Sequence, residues 1–269
     1  MNSSTSLFSA SALSGRVAFV AGGSRGINRA IARRYAAHGA AVFVVSRDQS
    51  KIDDTVAELR ALGAKAEGAA ADVRDFAAVE AAINQCADSL GPIDIVVSGA
   101  AGNFVAPAHT LSSNGFRTVV DIDLNGTFHV FRAAYPRLRK PGASLLAISA
   151  THALLPAEGQ AHVCSAKAGI QMLTQVLALE WGKDGVRVNS LAPGPVDGTE
   201  GMARLTPDEA SRAALYERIP LGRYASLDEI ADLALFLSTS AAGYITGTTV
   251  VCDGGQSLTG HARYGLQPA

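Results

Sequence analysis

Short apolar runs of strand length alternate along the chain with segments of helical period. The first run covers residues 17–20, and a helix is predicted over 25–38 with Ile27, Ile31 and Tyr35 on one face. A second run, 41–45, precedes a polar helix over 49–62. A weaker strand at 66–70 leads to a helix carrying Val79 and Ile83. Runs at 93–97, 144–148, 186–191 and 248–251 complete the strand set. These runs lack polar alternation, so both faces of each strand are buried, as in a parallel sheet covered by helices. The predicted class is α/β: a single-domain, doubly wound parallel sheet in a three-layer sandwich with right-handed crossovers. No internal linker rich in Pro, Gly or Ser divides it. The expected domain spans residues 14–260, between a flexible N-terminal tail (1–13) and a C-terminal tail (261–269).

Composition narrows the function classes. With 48% hydrophobic and 17% charged residues in 269, the chain has material for a core, which excludes a disordered protein. Lys and Arg number 23 against 24 Asp and Glu, so the basic excess of a nucleic-acid binder is missing. Cys86, Cys164 and Cys252 lie far apart without metal-ligand spacing, and read as small buried hydrophobes in a reducing cytosol; no metal is expected. Residues 1–14 contain six serines and no Lys or Arg, unlike a signal or transit peptide. No apolar run reaches the length of a membrane span. The closing residues GLQPA are not a peroxisomal or ER-retention signal, so a soluble cytoplasmic protein is expected.

Candidate chemistry begins directly after the first strand, at Gly22-Gly23-Ser24-Arg25-Gly26-Ile27-Asn28. Glycines permit a tight strand-to-helix turn, and the helix N-terminus offers free N–H groups to a pyrophosphate, the Rossmann-type arrangement. Asn28 stands where a third glycine is expected. The second strand ends near Arg47 and Asp48. A ribose 2′-phosphate calls for cations here, whereas a free 2′-hydroxyl calls for a carboxylate. Arg47 and Arg25 favour NADP(H); Asp48 remains available to a hydroxyl.

These residues, with Asp72-Val73, Ser98-Gly99-Ala100-Ala101-Gly102, the stretch from Val188 to Pro195 and Asp253-Gly254-Gly255, resemble the short-chain dehydrogenase/reductase superfamily over residues 13–258. The resemblance implies that Asp72, Val73 and Ala100 border the adenine end and its loops. It places Pro193, Gly194, Val196 and Thr199 beside the nicotinamide and diphosphate, and Lys167 on the nicotinamide ribose. That family usually carries Asn, Ser, Tyr and Lys as its catalytic set. Here Val163 stands four residues before Lys167, Ala150 takes the serine position and Asp123 the asparagine position. A valine cannot protonate an alkoxide, so ordinary carbonyl reduction lacks its donor.

Three stretches, Ala100 to Phe104, Asp121 to Phe128 and Asn189 to Gly201, are similar to 2,4-dienoyl-CoA reductases, the peroxisomal type more than the mitochondrial one. That group also lacks the tyrosine. The resemblance implies NADPH-dependent reduction of a trans-2,4-dienoyl-CoA to a 3-enoyl-CoA in unsaturated fatty acid β-oxidation. Hydride would reach C5 and a proton C2. It implies that Asp123 and Lys167 orient a proton-delivering water, with His152 as the rival donor. Asn103 and Phe104 are expected against the acyl thioester, and Ser149 and Thr151 as hydroxyl donors. Arg47, Arg74 and Arg117 are candidates for CoA phosphates, while His162 and Cys164 read as packing. A helical stretch over 114–138 is expected to form subunit contacts in a homotetramer. The competing readings are a 3-oxoacyl or other carbonyl reductase, and a silent NADPH-binding sensor.

Overall fold

The computed structural model describes residues 8–259. Seven parallel strands form one sheet in the order β3-β2-β1-β4-β5-β6-β7. They are β1 (Val17–Ala21), β2 (Ala41–Ser46), β3 (Ala66–Ala70), β4 (Ile95–Ser98), β5 (Ser144–Ile148), β6 (Arg187–Pro193) and β7 (Thr249–Cys252). All seven expected strands are present, with ends shifted by up to two residues, as strand ends fray. Successive side chains point to opposite faces. Ala18 and Val20 accordingly join one core layer with Ile31, Tyr35, Ile230 and Leu235. Val17 and Phe19 join the other with Ile83, Phe131 and Leu145.

The first layer is covered by α1 (Gly26–Ala37), α2 (Gln49–Ala61) and α9 (Leu227–Ser238). The second is covered by α3 (Phe76–Leu90), α5 (Gly126–Ala134) and α6 (Ala161–Trp181). This is the single-domain doubly wound sandwich that the pattern predicts. Among the described residues no helix is long and apolar enough to cross a membrane.

Two expectations change. The stretch assigned to an N-terminal tail contains Leu13, which is buried and donates its N–H to the His38 carbonyl, and Phe8 packs on the same core layer. Residues 1–7 and the C-terminal stretch 261–269 lie outside the described residues. The helix expected over 114–138 is interrupted: α4 (Ser113–Val120) passes into a π-helical turn at Asp121–Asn125 before α5, and a 3₁₀ turn follows at Tyr135–Arg137. A π-turn frequently marks a functional position. Here the Thr127 hydroxyl donates to the Asp123 carbonyl at 2.6 Å, drawing that carbonyl off the regular ladder. Periodicity over 114–138 could not show this, because the turn displaces the backbone without removing its helical sense.

Candidate functional site

Because all seven strands run parallel, every loop that follows a strand emerges at the same edge of the sheet. The winding reverses between β1 and β4, and a crevice opens there. Gly22 sits at that switch point with φ +76, and a Cβ on it would come within 2.9 Å of the Ala100 nitrogen. The turn after β1 and the loop after β4 therefore touch, backbone to backbone. Asn28, one turn into α1, explains why no third glycine is needed: its amide donates to the Gly99 carbonyl at 2.7 Å and ties the two loops together. That bond leaves no local signal along the chain, since its partner lies 71 residues away.

The adenine end follows from local capping. Whereas α2, α3 and α4 are capped by Asp48, Asp75 and Ser112, α1 begins with no side-chain cap. Its orphan N–H groups beside Ser24, Gly26 and Ile27 are free to meet an anion, so this end fits a dinucleotide diphosphate. Asp48 accepts from the Ser50 hydroxyl and from the N–H groups of Ser50 and Lys51. The Ser50 bond holds its carboxyl below the usual carboxylate range. Arg47 is exposed and makes no ion pair among the described residues. Ser24, Arg25, Arg29 and Lys51, together with Asp54 and Glu200, line a cleft of about 430 Å³.

Asp72 is gripped by the Arg74 guanidinium, with contacts of 2.6 to 3.1 Å, and Arg74 holds its carboxyl below the ordinary value. Arg74 is thus engaged locally, unlike Arg47. The Val73 carbonyl accepts from His129 at 2.8 Å, and the Val73 side chain fits against Gly126 at the head of α5.

On the far side of the crevice, Asp123 and Lys167 meet. Asp123 Oδ2 lies 3.0 Å from Lys167 Nζ, and both side chains are all but inaccessible. Lys167 also donates to the Ile148 carbonyl at 3.1 Å, and Asp123 Oδ1 accepts from the Gly102 N–H at 2.8 Å. The π-turn delivers the carboxylate, α6 the ammonium, and the loop after β4 the N–H. Val163 is buried against Val119 and Ala166 rather than standing free in the cleft, because α4 packs over that face of α6.

His152 lies in the 3₁₀ turn Thr151–Ala153 after β5. Burial lowers its pKa, and the Lys167 cation lowers it further, so the imidazole is neutral near pH 7. Thr151 is buried at the start of the same turn. Ser149 Oγ and Asn103 Oδ1 are buried with no hydrogen-bond partner among the described residues. Such groups mark places where something else supplies the bond. Phe104 is 40% exposed, and its ring packs on that of His162. Arg117 borders an apolar cleft of about 580 Å³ with Leu111, Phe116, Val120 and Ala161.

The loop after β6 closes the remaining side. Gly194 is pressed on Asp253, since a Cβ there would fall 2.7 Å from the Asp253 Cα. Val196 bridges to Ala225, and the Thr199 hydroxyl donates to the Val196 carbonyl while capping α7 (Glu200–Leu205). Glu200 then pairs with both Arg25 and Arg204, and Arg204 reaches the Asn103 carbonyl at 3.4 Å. This polar chain around the mouth links three loops, and single-residue reasoning did not find it. Cys86 is buried in the core, and burial pushes its thiol up to about 12, in keeping with a packing role. No cluster of three metal-ligating side chains occurs among the described residues.

A family model described as Enoyl-(Acyl carrier protein) reductase matches residues 21–257. A peroxisomal 2,4-dienoyl-CoA reductase, (3E)-enoyl-CoA-producing, from Danio rerio is 41% identical over 261 residues, covering 96% of this chain and 87% of that one. A probable 2,4-dienoyl-CoA reductase, (2E)-enoyl-CoA-producing, from Bacillus subtilis is 37% identical over 90% of this chain and 97% of its own. Among solved structures, a gluconate 5-dehydrogenase from Burkholderia cenocepacia in complex with NADP and tartrate superposes with a TM-score of 0.86. It is 30% identical and covers 91% of this chain and 96% of that one.

The expected cytoplasmic location is corrected by these relatives: those from Danio rerio, Arabidopsis thaliana and Saccharomyces cerevisiae are peroxisomal by name. That expectation rested on missing address signals, which are receptor-read and leave no trace in the fold. A parallel sheet wound about a glycine turn, a lysine on the sixth helix and matches of this extent lead to one family. The chain belongs to the short-chain dehydrogenases/reductases, and 2,4-dienoyl-CoA reductases match it over most of its length.

Proposed function

We propose that this protein reduces trans-2,4-dienoyl-CoA thioesters with NADPH, giving the 3-enoyl-CoA. The observation that carries the reading is the buried Asp123–Lys167 pair, set beside a position where valine replaces the usual tyrosine. A bound nicotinamide supplies hydride. The chain's own residues have two tasks: to hold the thioester so that charge moves onto its oxygen, and to deliver one proton to carbon.

Hydride arriving at C5 turns the conjugated thioester into a dienolate, and a proton at C2 completes the 3-enoyl product. No alkoxide forms, so no strong oxygen acid is required at position 163. Ser149 and Asn103 have buried polar atoms without hydrogen-bond partners among the described residues, which suits them to the thioester, and Phe104 offers an apolar wall to the acyl group. Donors fixed in advance at a developing oxyanion supply much of a rate enhancement. Asp123 and Lys167 orient the water that yields the proton. His152, kept neutral, serves as a hydrogen-bond partner better than as an acid.

The preference for NADPH is supported by Arg47, which makes no ion pair among the described residues, while the Asp48 carboxylate is committed to capping α2. Arg25, paired with Glu200, lines a cleft with two further cations, Arg29 and Lys51. Gly22, Ser24, Gly26 and Ile27 would cradle the diphosphate, Asp72, Val73 and Ala100 the adenine side, and Pro193, Gly194, Val196 and Thr199 the nicotinamide side. A homotetramer is supported by an apolar stripe on α6, formed by Met172, Val176 and Leu179, with Leu179 84% exposed. The test is oxidation of NADPH by a medium-chain trans-2,4-dienoyl-CoA, with NADH in parallel. Fast turnover confined to NADPH is the expected result. Silence with both cofactors, despite NADPH binding, removes the reductase reading.

A further inference from the structure

His162 reads from sequence as packing, yet a packed position with no access to solvent would hold phenylalanine at lower cost. Its side chain is fully buried in the first turn of α6, and neither ring nitrogen makes a well-formed hydrogen bond among the described residues. Burying an imidazole without a partner is unfavourable, so such a group calls for an explanation. Its surroundings supply one. The ring lies 4.3 Å from that of Phe104, centroid to centroid. The neighbouring Gln160 donates to the Phe104 carbonyl at 3.0 Å. Two residues earlier in the same loop, the Gly102 N–H holds Asp123 Oδ1 at 2.8 Å, and Asp123 Oδ2 faces Lys167.

We infer that His162 is a positioning residue: by donating to the backbone at Phe104 when the cleft is filled, it seats the 102–104 loop and thereby aims the Asp123 carboxylate. Hydrogen bonds of this kind are often loose in an empty site and tighten in the complex. Burial favours the neutral imidazole, while the Phe104 backbone and Asp123 act on it in the opposite sense. A neutral ring keeps one N–H to donate, which is all this role needs. The inference rests on the dienoyl-CoA reductase reading and adds a residue to it.

The variant His162→Phe separates this role from packing, because an apolar ring of similar shape should fold as well as the original or better. The measurements are the thermal midpoint, kcat and KM for the dienoyl thioester, the Kd for NADPH and the solvent isotope effect on kcat. We expect an unchanged or raised midpoint, unchanged NADPH binding, kcat lower by about tenfold and a larger solvent isotope effect, because misaiming a group by an ångström slows its step. His162→Gln, which keeps a donor, should retain most of the rate. Wild-type kcat in His162→Phe overturns the inference, as does a His162→Gln variant no better than His162→Phe. A wild type silent on dienoyl-CoA overturns the reductase reading and this inference with it. An active wild type beside an equally active His162→Phe overturns the inference alone.

Discussion

Asp123 and Lys167 are both nearly inaccessible, and each is the other's only charged partner in the contacts described. A buried ion pair contributes little net stability, but removing one member leaves the other stranded. Asp123→Asn keeps an acceptor for the Gly102 N–H and strands the Lys167 ammonium. We expect it to cost about 3 kcal/mol in denaturant unfolding. Turnover should fall by about tenfold or more through loss of the proton-handling group. Adding Lys167→Met should restore stability without restoring turnover, and recovery of both would remove the pair from the mechanism. At this scale the sequence was readable where residues act as substitutes: Val163 for tyrosine, Asp123 for asparagine. It did not show the contacts of Asn28, Gln160 and His162, because a side chain's task is fixed by its neighbours, and these meet partners 71, 56 and 58 residues away in the chain.

Among the elements, the β1–α1 turn carries a double steric requirement at the site. Gly22 combines a left-handed φ of +76 with an approach of 2.9 Å from a hypothetical Cβ to the Ala100 nitrogen. Gly22→Ala would therefore strain the backbone and push the β4 loop away from the crevice. We expect a loss of about 2 kcal/mol in stability. The same displacement should weaken NADPH binding about tenfold, the equivalent of roughly 1.4 kcal/mol, as read by fluorescence titration. Unchanged affinity would show that the turn does not hold the diphosphate. The strands and the first three helices were legible because uninterrupted apolar runs and a 3.6-residue period are properties of the local chain. The π-turn at Asp121–Asn125 was not, although it delivers Asp123 to Lys167.

At the level of the whole molecule, two continuous core layers hold the sheet between its helices, and α6 turns a further row of apolar side chains outward. Met172, Val176 and Leu179 recur at helical spacing, and Phe116 of α4 lies on the helix packed beside them. A contiguous apolar face on a folded chain marks a contact surface. The wild type should run as a tetramer in light scattering coupled to gel filtration. Leu179→Arg, at a position 84% exposed, should give smaller species with an unchanged circular dichroism spectrum. A monomeric wild type would sink the assembly proposal while leaving the site untouched.

The strand set, the helix periods, the glycine turn and the missing tyrosine were all fixed along the chain, because each depends on residue types at short spacing. Those features sufficed for the fold class, for the family and for a shortlist that included Asp123 and Lys167. Which members of the shortlist touch, and through which intermediaries, depended on the parallel sheet bringing seven strand ends to one edge. There Asp123 gains its N–H from Gly102, Asn28 ties the turn after β1 to Gly99, and His162 is sealed behind Phe104. The physical reason is range: propensity and periodicity act over a few residues, whereas hydrogen bonds, ion pairs and burial at the crevice join positions brought together only by folding.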